Sequence, residues 1–422
     1  MIMKYDFTSI LNRHGQDSLA VDGLGQRPGM TPEPPQEGFD FIPMWVADMN
    51  FPVVPTIQEA IIERAKQPHF GYFAPRDEYF DEIITWHETR NGVEGLTKEC
   101  IGYENGVLGG VVSTLKSFMQ PGDAVLLHSP TYIGFTGCIE NAGFKIVHSP
   151  LVLDENGTWR MDFEDMEKKL AENSIHAAVF CSPHNPTGRV WEREEIEQAM
   201  ELYKKYDCVV VSDEIWSDII LPGHKHIPTQ SVSEDARNRT VALYAPSKTF
   251  NLAGLVGSYH IIYNKYLRDR ETATASKAHY NDMNVLSMHA LIGAYKPEGY
   301  EWVDELCEVL GKNVDYAYDY ITEHFKGVTL SKPEGTYMLF LDCTEWLEEH
   351  GRDIAWLQKA GWNVGVGWQD GRPFHGPNAI RMNLAVPFSR VQEAFDRLDK
   401  YVFNAQAACG SAHPDKSAVR DK

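Results

Sequence analysis

The chain has 422 residues, of which 43% are hydrophobic, 23% charged and 11% aromatic, the balance of a packed protein of enzyme size and not of a disordered or fibrous one. Acidic residues outnumber basic ones, 60 to 39, and the resulting charge of −21 repels phosphate backbones and anionic headgroups, which excludes nucleic acid and membrane surfaces as expected partners. Seven scattered cysteines without a Cys-x-x-Cys, an opening MIMKYDFTSI without a signal peptide's apolar run, and no bilayer-length apolar stretch together point to a cytoplasmic location.

Residues 1–45 are irregular, and the stretch from Gly23 to Gly38 is dense in Gly and Pro, so an extended N-terminal arm is expected there. Residues 46–284 are expected to form a large domain in which, from about Gly102 to Ser258, short apolar runs alternate with helical patterns, the signature of a mostly parallel sheet clothed in helices. Four runs are apolar on both faces, as strands buried on both sides must be: Asp123 to Pro130, His176 to Pro183, Cys208 to Ile215 and Thr240 to Ser247. Between the second and third, Trp191 to Asp207 has an acidic start, apolar residues at helical spacing (Ile196, Ala199, Met200, Tyr203) and a basic end, which predicts an amphipathic helix. Residues 285–405 read as a smaller α+β domain, with a long helix through Trp302 to Phe325, a strand near Gly335 to Asp342 and another near Ala379 to Val386. The polar tail 406–422 lacks periodicity and is expected to be disordered. No internal repeat is visible.

Four features fall at the C-terminal ends of predicted strands, where open α/β sheets hold their ligands. They are Asn185 in SPHNPTGRVW, Asp213 in VVVSDEIW, Lys248 in YAPSKTFNLAG, and the turn ENGVLGG, in which Gly106, Val107 and Leu108 open a helix. A lone lysine after a strand is usually a solvated residue, and an acidic pair at a strand end is commonly a cap. The joint pattern asks for more. A buried Asp213 can keep a heterocyclic nitrogen protonated, Lys248 supplies an amine for a Schiff base and later a base, Asn185 offers an amide to a phenolate, and free N–H groups at a helix start hold a phosphate. Ser247, beside the lysine, can donate a further hydrogen bond. A phosphate, a phenolate, a pyridine nitrogen and an aldehyde describe pyridoxal 5′-phosphate (PLP).

The order Asn-Pro-x-Gly, Asp-Glu-Ile, Ser-Lys-Thr resembles that of fold-type I PLP enzymes of the class I/II aminotransferase superfamily. WVADMNF (Trp45 to Phe51), SPHNPTGRVW and APSKTFNLAG are most similar to its cystathionine β-lyase and PatB-like C–S lyases. The resemblance implies an α/β fold-type I transferase architecture, with a mostly parallel seven-stranded sheet in the large domain and a smaller α+β domain. It also implies that Lys248 carries the cofactor, Asp213 pairs with the pyridinium, Asn185 bonds the phenolate, Tyr132 stacks on the ring, and Gly106, Val107, Leu108 and Ser247 surround the phosphate. Tyr72 would reach the phosphate of a neighbouring subunit in a homodimer, and Arg381 would bind the substrate α-carboxylate, for which a bidentate guanidinium is suited. The implied reaction is α,β-elimination from L-cystathionine or a related cysteine S-conjugate, giving a thiol, pyruvate and ammonia. The alternative is amino transfer to a 2-oxo acid, and a regulatory protein-binding role alongside catalysis is a third reading.

The chain also departs from the pattern. Trp216 stands where many aminotransferases of the superfamily have a tyrosine, Val256 where they have a phosphate-binding arginine, and Ala245 where they have a serine. Phosphate binding is therefore expected to lean on backbone amides, Ser247 and Tyr72. The arm keeps only Asp22 of a Lys-Trp-Asp sequence common in the lyases. The polar stretch Gly367 to Asn383 is expected to border the substrate entrance. His184, His260 and His279 fall in no metal-ligand spacing, and read as structural residues without a metal.

Overall fold

A computed structural model describes residues 3–27, 30–277 and 281–405; the expected disordered tail and His279 lie outside the described residues. Thirteen strands are described: β1 (Ile42–Pro43), β2 (Ile101–Asn105), β3 (Ala124–Ser129), β4 (Lys145–Leu153), β5 (Trp159–Met161), β6 (Ala177–Cys181), β7 (Val209–Asp213), β8 (Thr240–Tyr244), β9 (Gly257–Ile261), β10 (Met338–Asp342), β11 (Val366–Gly367), β12 (Gln369–Asp370) and β13 (Ala379–Asn383). The large sheet runs β2-β9-β8-β7-β6-β3-β4-β5. Its centre, from β8 to β4, is parallel, while β9 and β2 close one edge and β5 the other in antiparallel fashion.

The four strands expected from doubly apolar runs are β3, β6, β7 and β8, and every residue of β6 and β8 is buried. One face packs against Val111, Leu115 and Phe135. The other meets Met166, Ile196, Met200 and Tyr203, the last three from the expected amphipathic helix, observed as Arg193–Lys205. That helix opens on a capping box, in which the Glu195 carboxylate accepts the Glu192 N–H at 2.9 Å. The sheet has eight strands where seven were expected. The additional one, β5, is a three-residue edge strand folded back on β4 by a turn in which Asp154 Oδ1 accepts the N–H groups of Asn156 and Thr158.

Strand order positions the site. The chain winds outward from β3 to β4 in one direction and from β6 through β7 to β8 in the other, so the order reverses between β3 and β6. A reversal of this kind leaves a crevice outside the strands' C-terminal ends. The crossover from β2 to β3 is the helix Val107–Phe118.

The long helix expected near Trp302 spans Pro297–His324 and buries Trp302, Leu306, Leu310, Val314, Ala317 and Ile321 along one stripe. A second, antiparallel sheet has the order β10-β13-β12. β1, from the N-terminal arm, pairs in parallel with β11. Among the described residues, no helix is long and apolar enough to cross a membrane.

Candidate functional site

A cavity of about 220 Å³ opens at the strand-order reversal, lined by Gly106, Val107, Leu108, Tyr132, Asn185, Asp213, Trp216, Ser247 and Lys248 among others. Asp213 ends β7, Lys248 lies in the short helix Pro246–Thr249 after β8, Asn185 follows β6, and Tyr132 follows β3. Each therefore comes from a different strand end, which is why residues spread over more than a hundred positions meet. A larger cleft of about 420 Å³ lies elsewhere, lined by His87, Arg237 and Tyr244 among others. It contains no lysine, and chemistry rather than size marks the first cavity as the site.

The glycine turn leaves backbone N–H groups open to the cavity. Gly106 has φ +77° and ψ 153°, a backbone region essentially reserved for glycine, and it starts the helix Val107–Phe118 without a side-chain cap. The first N–H groups of that helix therefore face the cavity without a side-chain acceptor. Val256 lines the same cavity with φ +60°, a strained value for a β-branched residue.

Asp213 is buried, and its Oδ1 accepts the Ile215 N–H at 3.1 Å. Burial pushes its carboxyl up to about 7, a rise that the Ile215 N–H and the charge of Lys248 only partly oppose. Such a carboxylate lacks a cation, and a protonated heterocyclic nitrogen would supply one. Lys248 Nζ donates to the Ala47 carbonyl at 3.0 Å and lies 5.9 Å from the centre of the Trp216 ring. Burial, reinforced by Arg381, brings its amine down to about 8, while Asp48 and Asp213 resist the fall. Trp216 is buried with its ring edge-on to Tyr337 at 4.7 Å.

Arg381 on β13 is 3% exposed. Its Nη1 donates to Asn185 Oδ1 at 3.3 Å, and its Nη2 donates to the Trp45 carbonyl at 3.1 Å and to Gln369 Oε1 at 2.6 Å. Phe374 lies under the guanidinium at 4.4 Å. Arg381 Nε is buried without a partner, and no carboxylate pairs with Arg381 among the described residues. Burial lowers its pKa to about 10, with Tyr132 and Tyr337 acting in the opposite sense. A buried guanidinium held by neutral acceptors, with an N–H to spare, is suited to an incoming carboxylate. The polar stretch before β13 does border this group, through Gln369 and Phe374.

Tyr72 is not part of the cavity: its side chain is fully exposed, as are Phe70 and Phe73 to a lesser degree. The segment Trp45 to Asn50, by contrast, was expected only as a resemblance motif and forms an inner wall of the site. Its carbonyls receive Lys248 at Ala47, Arg381 at Trp45, and Asn383 Nδ2 at both Val46 and Asp48, each of the last two at 2.7 Å. Asn251 bonds the Met49 N–H and carbonyl, both at 3.0 Å, and Arg13 pairs with Asp48 at 2.5 Å. Gln369 lies in the polar stretch singled out in the sequence, though its bond to Arg381 was not expected.

The family described as aminotransferase class I and II matches residues 40–398. The chain is 34% identical over 389 residues to a Bacillus subtilis (strain 168) protein named cystathionine beta-lyase PatB, covering 92% of this chain and 97% of that one. A PLP-bound putative aminotransferase from Clostridium difficile 630 has a similar structure, with a TM-score of 0.86 and 31% identity over 95% of this chain and 100% of that one. Cystalysin from Treponema denticola, which contains a pyridoxal 5′-phosphate cofactor, gives a TM-score of 0.85 and 31% identity over 95% and 99% of the two chains.

Proposed function

Because the chain belongs to the class I and II aminotransferase family, we propose that it is a PLP-dependent C–S β-lyase acting on L-cystathionine or a related cysteine S-conjugate. The observation that carries this reading is the near-full-length likeness to a protein named cystathionine beta-lyase. The chemistry of the cavity supports it.

When bound, PLP supplies an electron sink that makes an amino acid's Cα–H acidic. The residues present fit its groups. Asp213, a desolvated carboxylate, would hold the proton on the ring nitrogen. Asn185 has its Oδ1 occupied by Arg381 and keeps its amide N–H groups for the phenolate oxygen. The uncapped start of the helix Val107–Phe118, at Gly106, Val107 and Leu108, holds the phosphate, with Ser247 as a further donor. Tyr132 offers its ring to the cofactor face. Tyr72, fully exposed here, serves the phosphate of a neighbouring subunit in a homodimer.

Arg381 receives the substrate α-carboxylate and so fixes which Cα bond faces Lys248. With PLP and substrate bound, Lys248 would stand as the base for the Cα proton; its amine, brought down to about 8 by burial, has an appreciable unprotonated fraction at neutral pH. The Ala47 carbonyl gives that amine its direction. The Cβ–S bond then breaks with its electron pair leaving on sulfur, and a proton returned by Lys248 yields the thiol. Addition of water to the remaining three-carbon unit gives pyruvate and ammonia. The reading is that of a cytoplasmic homodimer with a small-molecule substrate.

Pyruvate release from L-cystathionine by PLP-loaded protein, with no 2-oxo acid present, tests this. Many turnovers are expected. Loaded protein that releases no pyruvate and turns over only when a 2-oxo acid is added is an aminotransferase, and the lyase reading is then wrong. For the shared site, mixing inactive Lys248→Ala and Tyr72→Ala chains is expected to restore part of the activity. No restoration under conditions of subunit exchange would place Tyr72 outside the neighbour's site.

A further inference from the structure

Outside the cavity, the fold gathers Glu104 of β2, His260 of β9 and Glu271 of the helix Lys265–Ser276 in a buried cluster whose ligand atoms all lie within 4.8 Å of one another. Glu104 and Glu271 are 0% exposed and His260 is 4% exposed. His260 Nδ1 lies 2.7 Å from Glu104 Oε1, and the Ser113 hydroxyl, from the helix Val107–Phe118, donates to Glu271 Oε1. The second oxygens, Glu104 Oε2 and Glu271 Oε2, are buried and receive no donor from any other residue, the two carboxyl groups lying within hydrogen-bonding reach of each other. Neither carboxylate has a lysine or arginine partner among the described residues. Two desolvated carboxylates with one imidazole and one hydroxyl leave the group short of positive charge.

The surroundings are shaped to admit these side chains. Gly102, opposite His260 in the β2–β9 register, gives up its side chain to the imidazole: a Cβ there would lie 2.3 Å from His260 Nε2. A Cβ on Gly110 would press on Glu104 Cγ at 3.3 Å. Four separate elements thus converge on one point with nitrogen and oxygen donors, which is the donor set of a first-row dication such as zinc or manganese. Ligands about 2.0–2.2 Å from one ion sit roughly 3–4 Å apart, inside the 4.8 Å that bounds the present cluster. The sequence could not reveal this, since positions 104, 260 and 271 match no metal-ligand spacing.

We propose that Glu104, His260 and Glu271, with Ser113 beside them, form a buried site for a divalent transition-metal ion that ties the helix Val107–Phe118 to the β2–β9 edge of the sheet. The site stands apart from the reaction and does not depend on the lyase reading. Holoprotein expressed with added zinc or manganese salts, then passed through chelator and gel filtration, is expected to retain close to one equivalent of one of these metals by mass spectrometry. Folded His260→Gln and Glu271→Gln proteins are expected to lose at least about tenfold of that content, as loss of one of few ligands requires. X-ray absorption at the metal edge of the wild-type protein should show nitrogen and oxygen neighbours only, a readout that needs no variant. Wild-type protein with less than about a tenth of an equivalent, a metal retained in both folded variants, or a sulfur neighbour from a cysteine would each overturn the proposal. The first outcome would leave the two carboxylates sharing a proton.

Discussion

Arg381 Nη1 donates to Asn185 Oδ1 at 3.3 Å, and this contact joins a strand of the smaller sheet to the loop that leaves the centre of the large one. It sets the amide's orientation and holds the guanidinium with its Nε unpaired. A lysine at position 381 keeps a charge but cannot bond Asn185, Gln369 and Trp45 while also meeting a carboxylate in two places. Arg381→Lys is expected to raise KM about tenfold to a hundredfold, from the about 1.5–3 kcal/mol that a hydrogen bond to a charged group contributes. Its effect on kcat should be smaller. Steady-state kinetics separate the two, and an unchanged KM would mean that another group binds the carboxylate.

Asn251 ties the lysine loop to the wall segment through its two bonds to Met49, and it does so from φ +57°. Asn251→Gly removes the bonds but keeps the backbone at ease, and is expected to cost about 1–3 kcal/mol of stability. Asn251→Ala removes the same bonds and adds about 1–2 kcal/mol for a left-handed residue with a Cβ. The predicted order in denaturant unfolding is wild type, then glycine, then alanine. Alanine equal to or above glycine would show that the left-handed backbone carries no strain.

What the sequence disclosed and what it hid follow from which groups do the work. Lys248, Asp213 and Asn185 were legible because each is a polar side chain placed at the end of an apolar run. The large sheet was legible because β3, β6, β7 and β8 are apolar on both faces. The role of Trp45 to Asn50 was hidden because its contribution is made by backbone carbonyls, which every residue type possesses. Strand β5 was hidden because three edge residues make no periodic signal. Tyr72 can be placed in a site only by a second chain, and Glu104, His260 and Glu271 meet only once two strands pair and a helix packs across them.

Gly106 has open space around its missing side chain, since the nearest atom to an added Cβ is Val256 Cγ1 at 3.9 Å. The cost of Gly106→Ala is therefore conformational, about 1–3 kcal/mol at φ +77°, ψ 153°. Relief comes by turning the peptide groups that open the helix Val107–Phe118 away from the cavity. The expected result is a loss of cofactor affinity of about tenfold or more, together with a lower melting temperature. Equilibrium dialysis of PLP reads the first effect. Undiminished PLP affinity in the alanine protein would show that these N–H groups do not hold the phosphate.

Asp213 predicts a pH dependence of opposite sign in the two states of the site. In cofactor-free protein its carboxyl titrates near 7, above its ordinary 3.8. Between these values the folded chain holds a proton that the unfolded chain has released, so stability falls as pH rises through that window, by about 1.4 kcal/mol at most for each unit. Asp213→Asn lacks this titration. Cofactor-free Asp213→Asn protein is expected to match wild type near pH 4, to gain on it steadily toward pH 7, and to keep a constant lead above that. Loading PLP should reverse the ranking at pH 8, because the carboxylate then has a cation to face while the amide does not. Melting temperatures of both proteins across pH 4.5–8, with and without PLP, check the prediction. A lead for wild type in the cofactor-free series at pH 8 would show that the protein itself already compensates the Asp213 charge.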